Sequence, residues 1–267
     1  MAPGDFASAV VDTPGTVGLF TDFDGTLSEI VDQPGQARPI SGVVDSLRSL
    51  SQRLRIVAVV SGRTATELMG WFGSDFELWG LYGAERAVDG DVRLAERAKP
   101  YRGTMRAVLR DAASAVEDID IDGVFVEDKG IGLGLHWRRS SDRAAAGRAL
   151  TAIANDLASR HHLHVAEGKF ALELLPPVSF AKGDVVRERV AQASLEAVGF
   201  VGDDLGDLTA FDALDELAQR GTATIRVAVR SAESPPELLR RGDVIVDGPE
   251  GTLRWLRSLE PDGGATQ

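Results

Sequence analysis

The sequence predicts an α/β protein, a Rossmann-like parallel-sheet core interrupted by an inserted α+β module. Three observations carry that expectation. Toward both ends of the chain, short apolar runs of strand length alternate with helix-length periodic segments, the rhythm of βαβ units. Between them, from about Tyr101, the order changes to α-β-β-α-β-β. Several of the apolar runs in the βαβ parts end in polar residues at their carboxyl ends, where open parallel sheets place ligands.

The first dozen residues and the tail from Pro261 are small and polar, so both ends are expected to fray. Val17 to Phe23 reads as a buried strand stopping at a Gly25 turn, and Ser28 to Pro39 as a loop. Val43 to Arg53 has helical periodicity. Arg55 to Val60 is a second buried strand, ending in Ser61-Gly62-Arg63-Thr64. Thr64 with Glu67 three residues on reads as a capping box that opens a helix through Phe72. Ser61 therefore stands just before a helix N-terminus, where backbone N–H groups favour anions. A third strand is expected at Leu78 to Tyr82.

The middle segment holds a helix over Tyr101 to Val116 and a hairpin of Val124–Lys129 with Gly132–Arg138. A second helix over Asp142 to Arg160 and a second hairpin around Gly168-Lys169 follow. Pro176-Pro177 closes it. A helix from Asp184 then leads back to strands at Ala197–Val201, Thr224–Val229 and Val244–Val246, with helices over Leu208–Gln219 and Gly251–Leu259. The implied organisation is a core in two parts, residues 1–100 and 182–267, around an inserted cap, residues 101–181.

The chain has 267 residues, a formal net charge of −12 and no cysteine, with an isoelectric point near 4.8. Disulfides and thiolate metal sites are excluded. A nucleic-acid surface needs a basic face, so no nucleic-acid partner is expected. No apolar run reaches the roughly 18 residues of a membrane span and no leader is evident, so the expectation is a cytoplasmic protein with no membrane association. A monomer is expected. His161, His162 and His164 resemble a metal cluster only on paper, since no further histidine or cysteine accompanies them.

Four stretches place polar groups at one edge of the predicted sheet: Asp22 with Asp24, Ser61, Lys182, and Asp203 with Asp207. Period-two geometry lets Asp22 and Asp24 point the same way. Each has a plainer reading alone: Ser61 as a helix cap, Lys182 as a solvated lysine, Asp203-Asp204 as turn chemistry. Asp22-Phe23-Asp24-Gly25-Thr26 after an apolar strand resembles the nucleophile motif of the haloacid dehalogenase superfamily, most of whose members are phosphatases.

That resemblance implies phosphoryl transfer. A carboxylate approaches a phosphate only when a cation neutralises both, so Mg²⁺ is the expected cofactor. The expected ligands are the carboxylates of Asp22 and Asp203 and the backbone carbonyl of Asp24, with a neighbouring acid, Asp207 first and Asp204 as the alternative, completing or orienting the shell. Asp22 is the expected nucleophile, Asp24 the general acid and then base, and Ser61 and Lys182 the groups that hold the phosphate oxygens.

Further stretches narrow the resemblance. Phe20 to Leu27, Val60-Ser61-Gly62-Arg63, Glu127-Asp128-Lys129, His136-Trp137-Arg138, Glu173-Leu174-Leu175-Pro176 with Lys182-Gly183, and Val201 to Leu205 followed by Ala210-Phe211 run in the order found in the trehalose-6-phosphate phosphatase family. The resemblance implies trehalose 6-phosphate as substrate. Gly62, Arg63, His136 and Arg138 are then substrate-side residues, and Glu127, Lys129 and Glu173 bind sugar hydroxyls beneath a closing cap. The chain departs from the family at Gly80-Leu81-Tyr82-Gly83, where many relatives carry a Ser/Asn-His pair, and at Gly206-Asp207-Leu208-Thr209, where they carry an acidic run. Two other readings are a phosphatase of another sugar phosphate or sugar acid, and a receiver-like module phosphorylated on a strand-end aspartate. Asp24 and the long insert speak against the second.

Overall fold

The computed structural model describes residues 3–31, 34–168 and 170–260. In chain order, the first elements are α1 (Pro3–Asp12), β1 (Val17–Thr21), α2 (Val43–Ser51), β2 (Ile56–Val60), α3 (Ala65–Phe72), β3 (Glu77–Gly80), β4 (Glu85–Val88) and β5 (Asp91–Leu94). The middle elements are α4 (Arg102–Glu117), β6 (Phe125–Asp128), β7 (Leu133–His136), α5 (Arg143–His161), β8 (His164–Gly168) and β9 (Ala171–Leu175). The last are α6 (Lys182–Ala193), β10 (Ala197–Gly202), α7 (Leu208–Gln219), β11 (Ala223–Arg230), α8 (Pro236–Arg241), β12 (Val244–Asp247) and α9 (Gly248–Ser258). Contacts divide the chain into two compact units, residues 94–179 and the sequence on either side of them.

In the larger unit the strand order is β12-β11-β10-β1-β2-β3-β4-β5. Pairing is parallel from β12 to β3 and turns antiparallel at β4. β1 lies between β10 and β2, so the chain leaves it in one direction and returns on its other side, the switch point at which such sheets open a crevice. Burial on both faces explains why β2 and β10, and β1 up to Thr21, are apolar rather than alternating. Val17 and Leu19 face a core built with Phe6, Val10, Leu47, Leu68 and Leu256, from α1, α2, α3 and α9. Phe20 faces the opposite core with Val186, Phe211 and Leu238, from α6, α7 and α8.

The unit of residues 94–179 is a four-stranded antiparallel sheet of order β6-β7-β9-β8. One face, through Leu133, Leu135, Leu172 and Leu174, packs on Val108, Leu150 and Leu157 of α4 and α5. The other face carries Phe125, Glu127, Gly134, His136 and Glu173, which the ladder sets side by side.

Three expectations need correction. Among the described residues, the start of the chain is not frayed. Pro3–Asp12 is helical, and Phe6 and Val10, four residues apart, bury one stripe of it. A hairpin of β4 and β5 extends the sheet beyond the third strand, and the chain turns at Gly80 before reaching Tyr82. The strand expected through Arg138 ends at His136, because Trp137 donates a last backbone bond to Phe170 and then begins a turn to Ser140. The tail from Pro261 and Lys169 lie outside the described residues.

Candidate active site

Register alone brings the first site residues together. Thr21 pairs with Val201 on one side and Val59 on the other. Asp22, the residue after β1, therefore stands level with the ends of β10 and β2, just before Asp203 and Ser61. Its N–H still donates to Val201 O at 2.9 Å, so its backbone is fixed by the sheet.

Lys182 opens α6 as a fully buried side chain, with Nζ 2.8 Å from Asp22 Oδ1 and 2.7 Å from Asp207 Oδ1. Asp207 is tied by its other oxygen to the N–H groups of Asp203 and Asp204, at 2.8 and 3.0 Å. Asp203 Oδ1 accepts from Thr26 Oγ1 at 3.2 Å. The turn after Asp24 must approach closely here: at Gly25, φ is +75° and a Cβ would come within 2.1 Å of Asp203 Oδ2. Gly202 is equally confined, since a Cβ would meet Asp207 Cγ at 2.3 Å.

Carboxylate oxygens of Asp22, Asp203 and Asp207 all lie within 4.8 Å of one another, and all three residues are buried. One ammonium faces three acids. Burial pushes Asp22 well above the usual carboxylate range, and Asp207, Asp203 and Asp204 add to this against Lys182. Burial, then Asp207 and Asp204, raise Asp203 to about 7 against the pull of Lys182. For Lys182, burial opposes the charge, but Asp207 and Asp22 outweigh it and hold the ammonium protonated. Hard oxygen donors with surplus buried negative charge suit a divalent cation such as Mg²⁺.

Asp24 lies elsewhere. β1 has ended, Asp24 stands in the turn, and its carboxylate is outside the acid cluster. Both its oxygens are held by Arg63, Nε to Oδ2 at 2.8 Å and Nη2 to Oδ1 at 2.7 Å. Ser61 is buried, donates its N–H to Trp79 O, and accepts the Arg63 N–H on its hydroxyl. The Thr64–Glu67 capping box forms as the sequence implied. Gly62 is covered by the Tyr82 ring, whose Oη would lie 2.7 Å from a Cβ there.

In the unit of residues 94–179, Glu127, Lys129, His136 and Glu173 form one partly buried network. His136 Nε2 is 2.8 Å from Glu127 Oε2, Lys129 Nζ is 3.8 Å from the same oxygen, and Lys129 pairs closely with Glu173. The His136 ring stacks on Phe125 with centroids 4.7 Å apart. Arg138 is exposed, in the turn beyond β7. The sequence reading missed the Thr26 bond to Asp203 and the Arg63 clasp on Asp24. Both cross between segments far apart in sequence, and only the turn glycine gave a local signal.

The fold is that of solved haloacid dehalogenase-like and trehalose-phosphatase structures. A solved haloacid dehalogenase-like hydrolase from Bacteroides thetaiotaomicron shares it, with a TM-score of 0.61 over 91% of this chain and 98% of that one at 13% identity. A solved trehalose-6-phosphate phosphatase related protein superposes with a TM-score of 0.75 over 91% and 96% of the two chains, at 21% identity. The family model described as trehalose-phosphatase matches residues 20–237. The trehalose-phosphate phosphatase of Mycolicibacterium paratuberculosis is 35% identical over 212 residues, 73% of this chain and 51% of that protein. The chain belongs to the trehalose-phosphatase family, and it spans about half the length of the curated relatives it matches. Among the described residues, no helix is long and apolar enough to cross a membrane.

The crowding of acids gives a testable pH dependence. Asp203 ionises at about 7 in the folded protein and near 4 in the unfolded chain. Between those values the folded state binds more protons, so this group's contribution falls as pH rises. A divalent cation held by these carboxylates would remove that loss. Millimolar Mg²⁺ is expected to raise the melting temperature by a few degrees at pH 8 and by little at pH 5. An equal shift at both pH values, or none at pH 8, contradicts the assignment.

Proposed function

We propose that this chain is a Mg²⁺-dependent trehalose-6-phosphate phosphatase of the cytoplasm, acting through a phosphorylated aspartate and supplying the last step of trehalose synthesis. The observation that carries the reading is the cluster of Asp22, Asp203, Asp207 and Lys182 at the switch point of a trehalose-phosphatase family fold. Asp22 and Asp203, with the backbone carbonyl of Asp24, would hold the metal. Asp207, whose oxygens are already used by Lys182 and two backbone N–H groups, would orient it. Bound there, the cation would neutralise the carboxylates and the incoming phosphate.

Asp22 Oδ attacks phosphorus as the bond to the sugar oxygen breaks, and Asp24 delivers a proton to that oxygen. Asp24 then takes a proton from water as the water attacks the phosphorus of the acyl phosphate, releasing phosphate and restoring Asp22. The Ser61 hydroxyl and the Lys182 ammonium hold the spread charge of the transferring group. Gly62 and Arg63 stand next to Ser61 at the phosphate end. Residues 101–181 serve as a cap that selects the sugar, with Glu127, Lys129 and Glu173 on its hydroxyls and His136 and Arg138 alongside. The enzyme works as a monomer, without nucleic acid or membrane.

The convergence of Glu127, Lys129 and Glu173, from two hairpins, on one partly buried network supports a shared ligand. A hydrogen bond to a charged group contributes roughly 1.5–3 kcal/mol, so each loss should cost about one to two powers of ten in kcat/KM. Phosphate release by wild type, Glu127→Ala, Lys129→Ala and Glu173→Ala, with trehalose 6-phosphate and with p-nitrophenyl phosphate, tests this. A large loss on the first and a small one on the second is expected. Equal losses on both, or none on either, would remove these residues from sugar recognition.

A further inference from the structure

Arg63 has no role in the chemistry above beyond its place beside Ser61, yet its surroundings are unusually complete. Its Nε and Nη2 take both oxygens of Asp24, and its Nη1 lies 3.5 Å from Glu67 Oε1. Glu67 is itself immobilised, its Oε2 accepting from the Thr64 N–H at 3.0 Å and the Thr64 hydroxyl at 2.8 Å within the cap of α3. The guanidinium also packs against a stacked aromatic pair. Phe23 and Trp71 have centroids 4.5 Å apart, and Arg63 Cζ lies 5.9 and 5.7 Å from them.

The backbone is equally held. Arg63 donates its N–H to the Ser61 hydroxyl and accepts the Leu81 N–H at 2.9 Å. The Arg63 side chain is 11% exposed and the Asp24 side chain 39% exposed, so the carboxylate faces outward with the guanidinium behind it. Each of the three guanidinium nitrogens already has a protein partner. Reaching a sugar hydroxyl would cost the residue one of them.

We propose that Arg63 is a positioning residue for Asp24, a fork fixed by the α3 cap and the Phe23–Trp71 stack that sets where the proton-transfer carboxylate points. The proposal rests on the assignment of Asp24 as general acid. The proton that Asp24 donates sits on one of its oxygens in place of one prong of the fork; as it passes to the leaving oxygen and the phosphorus–oxygen bond breaks, both prongs close on the carboxylate left behind and hold it where it receives a proton from water. A planar two-pronged donor does this where a single ammonium cannot.

The test is a double-mutant cycle read on two leaving groups. Wild type, Asp24→Asn, Arg63→Ala, Arg63→Lys and the two combinations with Asp24→Asn are assayed for leaving-group release in the first turnover, before the water step common to both esters, on trehalose 6-phosphate, whose alkoxide needs a proton, and on p-nitrophenyl phosphate, whose phenolate does not. Arg63→Ala is expected to lose about ten- to a hundredfold in the rate of that first release on the sugar ester, and at least tenfold more than on the aryl ester. Arg63→Lys should recover little of this. In the Asp24→Asn background, removal of Arg63 should cost less than about threefold, because the two act as one unit. Losses that multiply independently, or a rise in KM for the sugar ester that persists in that background, would make Arg63 a sugar contact and overturn the proposal. If Arg63→Ala fails to fold, the cycle with Arg63→Lys decides on the same criteria. An Asp24→Asn variant that slows that first release equally on both esters would instead overturn the general-acid assignment, and the proposal with it.

Discussion

Asp22→Asn is expected to abolish turnover of trehalose 6-phosphate, by at least about four powers of ten, while leaving the fold intact. The amide is isosteric with the carboxylate, so the last hydrogen bond of β1, from residue 22 to Val201, is kept. What disappears is the charge to which the proposed function gives the attack on phosphorus and a share in holding the cation. Lys182 retains Asp207 at 2.7 Å. Burial and three neighbouring acids already disfavour a carboxylate at position 22, so the metal-free variant should melt no lower than wild type. A dead but stable variant is the expected pair of results. Residual turnover within tenfold of wild type would end the role of Asp22 as nucleophile.

Removal of divalent cations should have an effect of similar size. Asp22, Asp203 and Asp207 face the single ammonium of Lys182, and a phosphate dianion cannot enter that charge balance unaided. Chelation with EDTA should bring phosphate release to background and Mg²⁺ should restore it. Ca²⁺ should inhibit, because it prefers more ligands at longer distances than Mg²⁺ does. Turnover that survives exhaustive chelation would contradict the reading of this cluster.

Much of the fold was legible because its signals are local. The apolar runs at Val17, Ile56 and Ala197 are buried on both faces and so show no alternation, which marks them as central strands. The Thr64–Glu67 cap is a three-residue pattern and announced α3 without help from tertiary structure. The N-terminal helix was missed because its case rests on burying Phe6 and Val10 against the sheet, which the first dozen residues alone do not reveal. The β4–β5 hairpin was missed for a related reason: its four-residue strands are only partly buried, so their pattern is weak. Within the candidate site, Asp22 and Asp203 could be read from strand ends. The direction of Asp24 could not. Period-two reasoning pointed both acids the same way, but the strand ends at Thr21 and the turn hands Asp24 to Arg63, 39 residues away.

The measurement that bears most directly on the central claim is initial-rate phosphate release in Mg²⁺ across a set of phosphate esters. The set comprises trehalose 6-phosphate, glucose 6-phosphate, mannose 6-phosphate, sucrose 6-phosphate and a phosphorylated sugar acid. A pocket that bonds hydroxyls on both rings should favour the trehalose ester over the monosaccharide esters by at least two hydrogen bonds to charged groups, about two powers of ten or more in kcat/KM. That preference, reduced toward equality by Glu127→Ala or Glu173→Ala, is the predicted result. Another ester hydrolysed faster than trehalose 6-phosphate, or no release from it at all, would contradict the account.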